Sequence, residues 1–429
     1  GIKELTSLTG GEFFKADPTD PRSVVEVAER VGAEMAFVGP EEPNFRGVPD
    51  SLEEVGVSVV GAKRAVASVE LSKVLMRDIQ WKYRIPGRLW YKKFRSFEEA
   101  SPFLREYSSS VALKPARQAG GKGVKVIEDL QVYLKEEKKK LEEQHAKEIV
   151  ERYMAGYDDV EYKLLIEERV WGPEYTVQCF TDGRTILPLP AVQDYKHAFD
   201  GDLGPETGGM GSISCGKNLK LSVDSEVSIL TEEEYERSVE IVRLMVEAIQ
   251  RETGEKYKGV VAGQMMLTPT WGPTVIEMYS RLGDPEAVNV LPLLETDMVE
   301  VMEAIVSEKL SKVKLKFREA ASVVKAVAPE GYPERRELAK GHPVDADPKS
   351  IYSLGARLYW GSVDASGPSL LTGGSRTAEL LGIATSIPEA AERAEKATSS
   401  IKLSDGWSLF HRSDVGAHKT FMRRVELCL

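Results

Sequence analysis

The chain has 429 residues, and at roughly 150 residues per domain it divides into about three domains. Lys and Arg total 57 against 68 Asp and Glu, so the net charge of −11 gives the whole molecule no drive toward nucleic acid or an anionic membrane. No run approaches the roughly 18 apolar residues of a membrane span, and the opening residues read as no signal peptide.

Three cysteines (Cys179, Cys215 and Cys428) are too few and too scattered for a disulfide framework or a zinc site, and they read as reduced cytoplasmic thiols. Apolar residues at Val25, Val27 and Val31 give residues 22 to 32 helical spacing. Residues 34 to 40 read as a short apolar strand, 48 to 56 as a helix and 57 to 60 as a strand. This alternation predicts a parallel, doubly wound layer, but the strand that would open such a sheet is not found. A helix is predicted over 68 to 81, and another over 97 to 107 with Ser96 as its N-cap. Residues 110 to 114 and 123 to 128 read as strands joined by a glycine-rich turn. A charged helix is predicted over 129 to 153, with the run EEKKKLEEQ as a solvated face. Segments 163 to 169, 174 to 181 and 184 to 188 read as an antiparallel meander with a Thr-Asp-Gly-Arg hairpin turn. Residues 192 to 213 read as one long loop. Thr231 and Glu234 form a capping box for a helix reaching residue 250. Strands follow at 260 to 268 and 274 to 278, then a helix over 297 to 309. Beyond residue 320 come short strands and one helix over 388 to 398.

Four segments carry polar groups suited to chemistry. In Gly120, Gly121, Lys122 and Gly123, small residues let backbone amides approach phosphate, and the lysine adds positive charge. It is not a P-loop, because Gly123 stands where Ser or Thr is needed and no helix follows. An ordinary hairpin turn is the other reading. The apolar strand ending in Glu167 and Glu168, followed by Val170 and Glu174, could present backbone groups to a purine edge and a carboxylate to a ribose; paired acids at a strand end are otherwise simply solvated. The long loop holding Asp194 and Lys196, then Gly204 to Gly211, is uncommon in a compact domain unless it is functional. Finally, Gln264 and Glu277 fall on consecutive strands and offer oxygens that suit Mg²⁺ beside phosphates. Arg281, near Asp284 and Glu286, offers a planar fork for a carboxylate or phosphate, unless the group is a surface ion-pair cluster.

In this order the four segments resemble an ATP-grasp ligase and, within that class, the glycinamide ribonucleotide synthetase family. The matching stretches are LPLPAVQDYKHAFDGDLGPETGGMGSIS from Leu187 and VIEMYSRLGDPEAVNVLPLLETD from Val275. FVGPEEP, VELSK, ALKPARQAGGKGV and FHRSDVG also match, so the resemblance spans the whole chain. It implies an α/β and α+β multidomain fold: a doubly wound N-terminal domain over 1 to 69, a two-lobed ATP-grasp centre over 70 to 319, and a small β-rich C-terminal domain over 320 to 429. The lid lobe would cover about 110 to 185.

By the same resemblance, Lys73 and Lys114 face ATP, and the loop from Gly120 to Gly123 closes over its phosphates. Glu167, Glu168 and Val170 belong to the adenine hinge, and Glu174 takes the ribose. Gln264 and Glu277 are the positions for Mg²⁺ or Mn²⁺. Arg281, Asp284, Asp194 and Lys196 lie near glycine and an acyl phosphate. The substrates implied are ATP, glycine and 5-phosphoribosylamine, in purine synthesis, handled by a cytoplasmic monomer or small homo-oligomer.

Three departures from the family pattern stand out. The opening strand and its GxGGREH loop are not found, and the chain begins with Gly1. Tyr279 stands where the family has a metal-binding Asn, and Glu206 stands where it has Asn. Because the missing loop belongs to the phosphoribosylamine side, the alternative expectation is an ATP-binding relative with impaired or lost ligation.

Overall fold

The computed structural model describes residues 10–107, 109–118, 123–126, 137–365 and 369–428. The turn residues Gly120, Gly121 and Lys122 lie outside the described residues, as do residues 127 to 136 of the expected strand and helix.

Near the start, β1 (Met35–Phe37) and β2 (Ser58–Val60) pair in parallel, with the helix Pro21–Val31 packed nearby. Asp20 caps that helix and Gly32, in a left-handed conformation, ends it. The helix predicted over 68 to 81 is two helices, Arg64–Leu71 and Lys73–Lys82. Ser72 between them is extended and pairs with Arg117, while the amide of Lys73 donates to the carbonyl of Ala116. A long-range backbone pairing therefore overrides local helical spacing, and it delivers Lys73 to the centre of the molecule.

A four-stranded antiparallel sheet follows, built from β3 (Tyr91–Phe94), β4 (Val111–Pro115), β5 (Lys125–Val126) and β6 (Leu164–Glu168) in the order β3-β6-β4-β5. The helix Phe97–Glu106, capped by Ser96 as expected, packs beside it with the helix Glu137–Glu148. The second of these is not a purely solvated charged helix. Lys138 and Glu142 are buried, with Lys138 donating to the carbonyl of Ser109.

The expected meander is divided between two sheets. β6 stays in the first, whereas β7 (Glu174–Thr181) and β8 (Ile186–Pro188) join β13 (Gly259–Thr268) and β14 (Gly272–Tyr279) in the order β14-β13-β7-β8. The capping box of Thr231 and Glu234 is formed, and the helix Glu232–Thr253 lays Ile241, Val242, Met245 and Ile249 against Val177, Val261 and Met265 of this second sheet.

The expected long loop is also structured. β9 (Gln193–Asp194) leads into a hairpin of β10 (His197–Phe199) and β11 (Leu203–Glu206), then β12 (Gly211–Cys215). β12 and β9 form one six-stranded sheet with β15 (Ala321–Pro329), β17 (Ala356–Trp360), β20 (Ala378–Ala384) and β22 (Leu409–Phe410). The sheet thus runs without a break from the loop segment into the C-terminal strands.

Gly172 fixes the crossing between the first and second sheets. Its φ is +148°, and a Cβ there would lie 1.9 Å from the carbonyl oxygen of Leu267. Gly172→Ala must push β7 away from β13. It is expected to cost at least about 2 kcal/mol and to lower the melting temperature by about 2 °C or more. Calorimetry giving the wild-type melting temperature would show that the crossing tolerates the side chain.

Candidate active site

The two antiparallel sheets enclose a cavity of about 790 Å³. Ala112, Lys114, Glu167 and Glu168 line it from the first sheet, and Glu174, Met266 and Ile276 from the second. Gly123, Val124, Arg152 and Tyr153 stand at one side, Pro333 and Glu334 at another. Its walls mix apolar side chains such as Leu89, Val170, Met266 and Ile276 with many charged ones, a lining suited to a planar ring that carries charged substituents. A smaller cavity of about 120 Å³ continues inward and shares Lys114, Glu174 and Glu206 with the first. Asp194, Lys196, Glu277, Tyr279, Arg281, Asp284 and Glu286 complete its walls.

Behind the outer cavity lies a buried ion triad. Arg77 is fully buried and donates from Nε to Glu167 at 2.5 Å. Its Nη1 reaches the carbonyl of Val275 at 2.9 Å and its Nη2 that of Ile276 at 3.2 Å, both on β14. Lys114 meets the other oxygen of Glu167 at 2.8 Å. Burial opposes ionisation of Glu167, but the charges of Arg77 and Lys114 override it and hold the carboxyl at about 2. The Glu167 side chain is therefore engaged in this triad, while Glu167, Glu168 and Val170 all border the cavity. Glu168 likewise accepts from the amide of Trp90 at 2.7 Å.

The inner cavity is crowded with charge. Lys196 pairs with Glu174 at 3.0 Å; burial opposes its charge, yet Glu174 and Asp194 push its pKa well above the ordinary lysine value. Gln264 donates to Glu174 at 3.1 Å and to Asp194 at 3.3 Å. Burial raises the Asp194 carboxyl and lifts Glu206 to about 7. Glu286 is raised by burial and by Asp194. Lys73 lies 3.3 Å from Glu277, whose carboxyl is held low against burial by Lys73, Lys114 and Lys196. Arg281 sits 3.3 Å from both Glu41 and Glu70 and over the Tyr279 ring at 4.5 Å. Asp284 receives Arg376 at 3.0 Å.

Of the residues expected from sequence, Lys114, Gly123, Glu167, Glu168, Val170 and Glu174 border the outer cavity. Asp194, Lys196, Glu277, Arg281 and Asp284 border the inner one. Lys73 and Gln264 stand one contact behind. Arg77 and Arg376 escaped sequence reading. A lone arginine on a helix carries no local signal, and Arg376 reaches Asp284 only through the six-stranded sheet.

The donor set fits a divalent cation. Six carboxylates (Glu174, Asp194, Glu206, Glu277, Asp284 and Glu286) face three basic side chains (Lys114, Lys196 and Arg281) in the inner cavity, a deficit of positive charge that a hard cation would offset. Among the described residues no three acidic, histidine or cysteine side chains form a closed cage, so phosphate and water would have to share the coordination. Gln264 and Glu277 face each other in register across β13 and β14. The Gln264 carbonyl oxygen, however, accepts from Thr176 at 3.0 Å and Tyr279 at 3.4 Å, so Glu277 is the more available donor.

A nucleotide-sized cavity gripped between two antiparallel sheets defines the ATP-grasp class. Solved structures with the same fold include a phosphoribosylamine–glycine ligase from Thermotoga maritima, with TM-score 0.73 and 24% identity, covering 94% of this chain and 90% of that one. The biotin carboxylase domain of Hydrogenobacter thermophilus 2-oxoglutarate carboxylase gives TM-score 0.62 at 17% identity, covering 92% and 81%. Within that class, the N-domain, ATP-grasp and C-domain models of phosphoribosylglycinamide synthetase match residues 1–70, 71–287 and 322–418. Phosphoribosylamine–glycine ligases from Methanopyrus kandleri and Methanocaldococcus jannaschii are 42% and 41% identical, over 97% and 99% of this chain and 88% and 90% of theirs. The chain belongs to the phosphoribosylamine–glycine ligase family.

The buried triad sets an acid limit on stability. Glu167 ionises at about 2 in the folded chain against an ordinary 4.5, so its contribution is complete above 4.5 and fades as pH falls toward 2. Glu167→Gln leaves Arg77 buried without a carboxylate and is expected to cost about 3–5 kcal/mol at neutral pH. Denaturant unfolding across pH should also show the variant losing less stability than wild type on acidification through this range. Parallel acid profiles would mean that Glu167 is not the titrating group.

Proposed function

We propose that the chain joins glycine to 5-phosphoribosylamine at the expense of ATP, giving glycinamide ribonucleotide, ADP and phosphate. Family membership supports the ligase activity, and one observation carries the assignment to this site: the ATP-sized cavity opens directly into a charged inner cavity holding Asp194, Lys196, Arg281 and Asp284. The glycine carboxylate attacks the γ-phosphorus of ATP and ADP leaves, which makes glycyl phosphate. The amine of phosphoribosylamine then attacks the acyl carbon, the carbon–oxygen bond breaks, and phosphate departs.

The side chains position and neutralise rather than form covalent intermediates. Lys114 and Lys73 supply positive charge along the phosphate path. Glu174 meets the ribose hydroxyls. Arg281, braced by Glu41 and Glu70, presents its fork toward the carboxylate, and Asp284 and Asp194 receive the glycine ammonium. Gly123 and Tyr153 line the outer cavity, and their closing over it would exclude water that hydrolyses the acyl phosphate. Glu277, with Gln264 beside it, would hold Mg²⁺ or Mn²⁺, which when bound neutralises charge on the phosphates. No helix among the described residues is long and apolar enough to cross a membrane. The setting proposed is the cytoplasm, with a monomer or small homo-oligomer.

ADP release should require glycine and phosphoribosylamine together. Nucleotide binding without substrate-dependent turnover would instead favour a relative that has lost ligation. A second measurement tests the cation. Glu277→Ala should raise the Mg²⁺ concentration that supports half-maximal rate and weaken Mn²⁺ binding followed by electron paramagnetic resonance. Tyr279→Phe should change either by less than roughly tenfold, about 1.4 kcal/mol, because a neutral phenol is a poor ligand for a hard cation. Equal effects of the two substitutions would make Tyr279 a ligand.

A further inference from the structure

Asp194 and Lys196 line the inner cavity, and Tyr195 between them does not. Along extended backbone, alternate side chains face opposite ways. Tyr195, in the short connection from β9 (Gln193–Asp194) to β10 (His197–Phe199), therefore reports what lies behind the segment that carries the two site residues.

Behind it are two arginines from the end of the chain. The guanidinium of Arg412 lies 5.1 Å from the Tyr195 ring centroid and that of Arg424 lies 5.5 Å from it. Arg412 is fully buried. It donates to both oxygens of Asp414 at 2.8 and 2.7 Å, to Asp202 at 2.9 Å and to the carbonyl of His197 at 3.3 Å. Arg424 donates to the second oxygen of Asp202 at 2.6 Å. Asp414 in turn accepts from the amide of Gly201, and Asp200 accepts from the amide and hydroxyl of Ser413.

Every one of these bonds ends on the β10–β11 hairpin or within the 412–414 turn itself. The hairpin tip is unusual: Gly201 and Asp202 both have left-handed backbone, with φ of 74° and 60°. An aspartate there needs external support, and the two arginines supply it at its carboxylate. From this tip β11 runs back to Glu206 and Thr207, which also line the inner cavity. Thr207 bonds the carbonyl of Lys196 through both its amide and its hydroxyl, at 2.8 and 2.7 Å.

We propose that Arg412 and Arg424 form a clamp that positions Asp194, Lys196 and Glu206 for the ligation step, acting through Tyr195 and Asp202 rather than by touching substrate. The two arginines balance Asp202 and Asp414, so the clamp is neutral and does not depend on the nucleotide. The proposal rests on the ligase reading of the inner cavity. It makes the C-terminal 412–424 segment part of the machinery of a site built from the middle of the chain.

The test uses the full chain with three substitutions. Arg424→Gln removes half of the clamp at a partly exposed position, and Arg412→Lys keeps the charge but loses the fork. Lys396→Gln, in an exposed ion pair on another face, serves as the control. The clamp variants should lose about tenfold or more in kcat and raise the glycine KM. Their ATP dissociation constant should stay within about threefold of wild type, at an unchanged secondary-structure content. Hydrogen exchange should quicken in residues 193 to 211 while β13 and β14 keep wild-type protection. Wild-type kcat and glycine KM in Arg424→Gln and Arg412→Lys would overturn the proposal. So would faster exchange throughout the molecule, which would mark a purely structural role. If wild type itself shows no glycine- and phosphoribosylamine-dependent ADP release, the ligase reading fails, and the exchange pattern alone then decides whether the arginines hold the hairpin.

Discussion

One buried guanidinium ties together the two sheets that make the cavity. Arg77 stands on a helix that belongs to neither. It binds a carboxylate at the end of β6 and two backbone carbonyls on β14. A charge with no access to water must be fully satisfied, because the desolvation penalty is several kcal/mol for each ion. The geometry that satisfies it also sets the separation of the sheets, and hence the space between them. Lys114 shares the same carboxylate, so a lysine that lines both cavities is held by the group that locks the sheets.

Charge is handled in the opposite way a few ångströms further in. The inner cavity holds more carboxylates than bases, and burial pushes several of them toward the protonated form. Such a site is poorly satisfied alone, and a cation or an ammonium group entering it would offset the excess of carboxylates. The outer triad is finished architecture, while the inner cavity is complementary to something that arrives. This difference separates structural ion pairs from functional ones more clearly than burial does, since both groups are buried.

The sequence spoke plainly wherever the governing interaction was local. Ser96, Thr231 and Glu234 marked helix starts, and Asp182–Gly183 marked a hairpin, because capping and turn chemistry lie within a few residues. The glycine-rich and acidic segments that line the inner cavity were also legible, since a long polar loop has few structural uses. What local pattern missed was set by distant partners. The helix breaks at Ser72 because residues 116 to 118 pair with it. β6 leaves the meander because β3 and β4 claim both of its edges. The loop folds into a hairpin because a turn some 210 residues later binds its tip. Arg77, Arg376 and Arg412 are single residues whose partners lie far away, so no spacing announces them.

The six-stranded sheet has a consequence for the life of the molecule. Its strands β9 and β12 emerge from synthesis long before β15, β17 and β20, the neighbours that complete the sheet. Until those strands arrive, β12 presents an open edge of unpaired backbone groups. Most of the outer cavity is lined by segments made earlier, apart from Pro333 and Glu334 and the β10–β11 hairpin, whose tip is held by Arg412 and Ser413. A nascent chain therefore has the strands of the two antiparallel sheets in hand before the sheet that carries Asp194 can be completed.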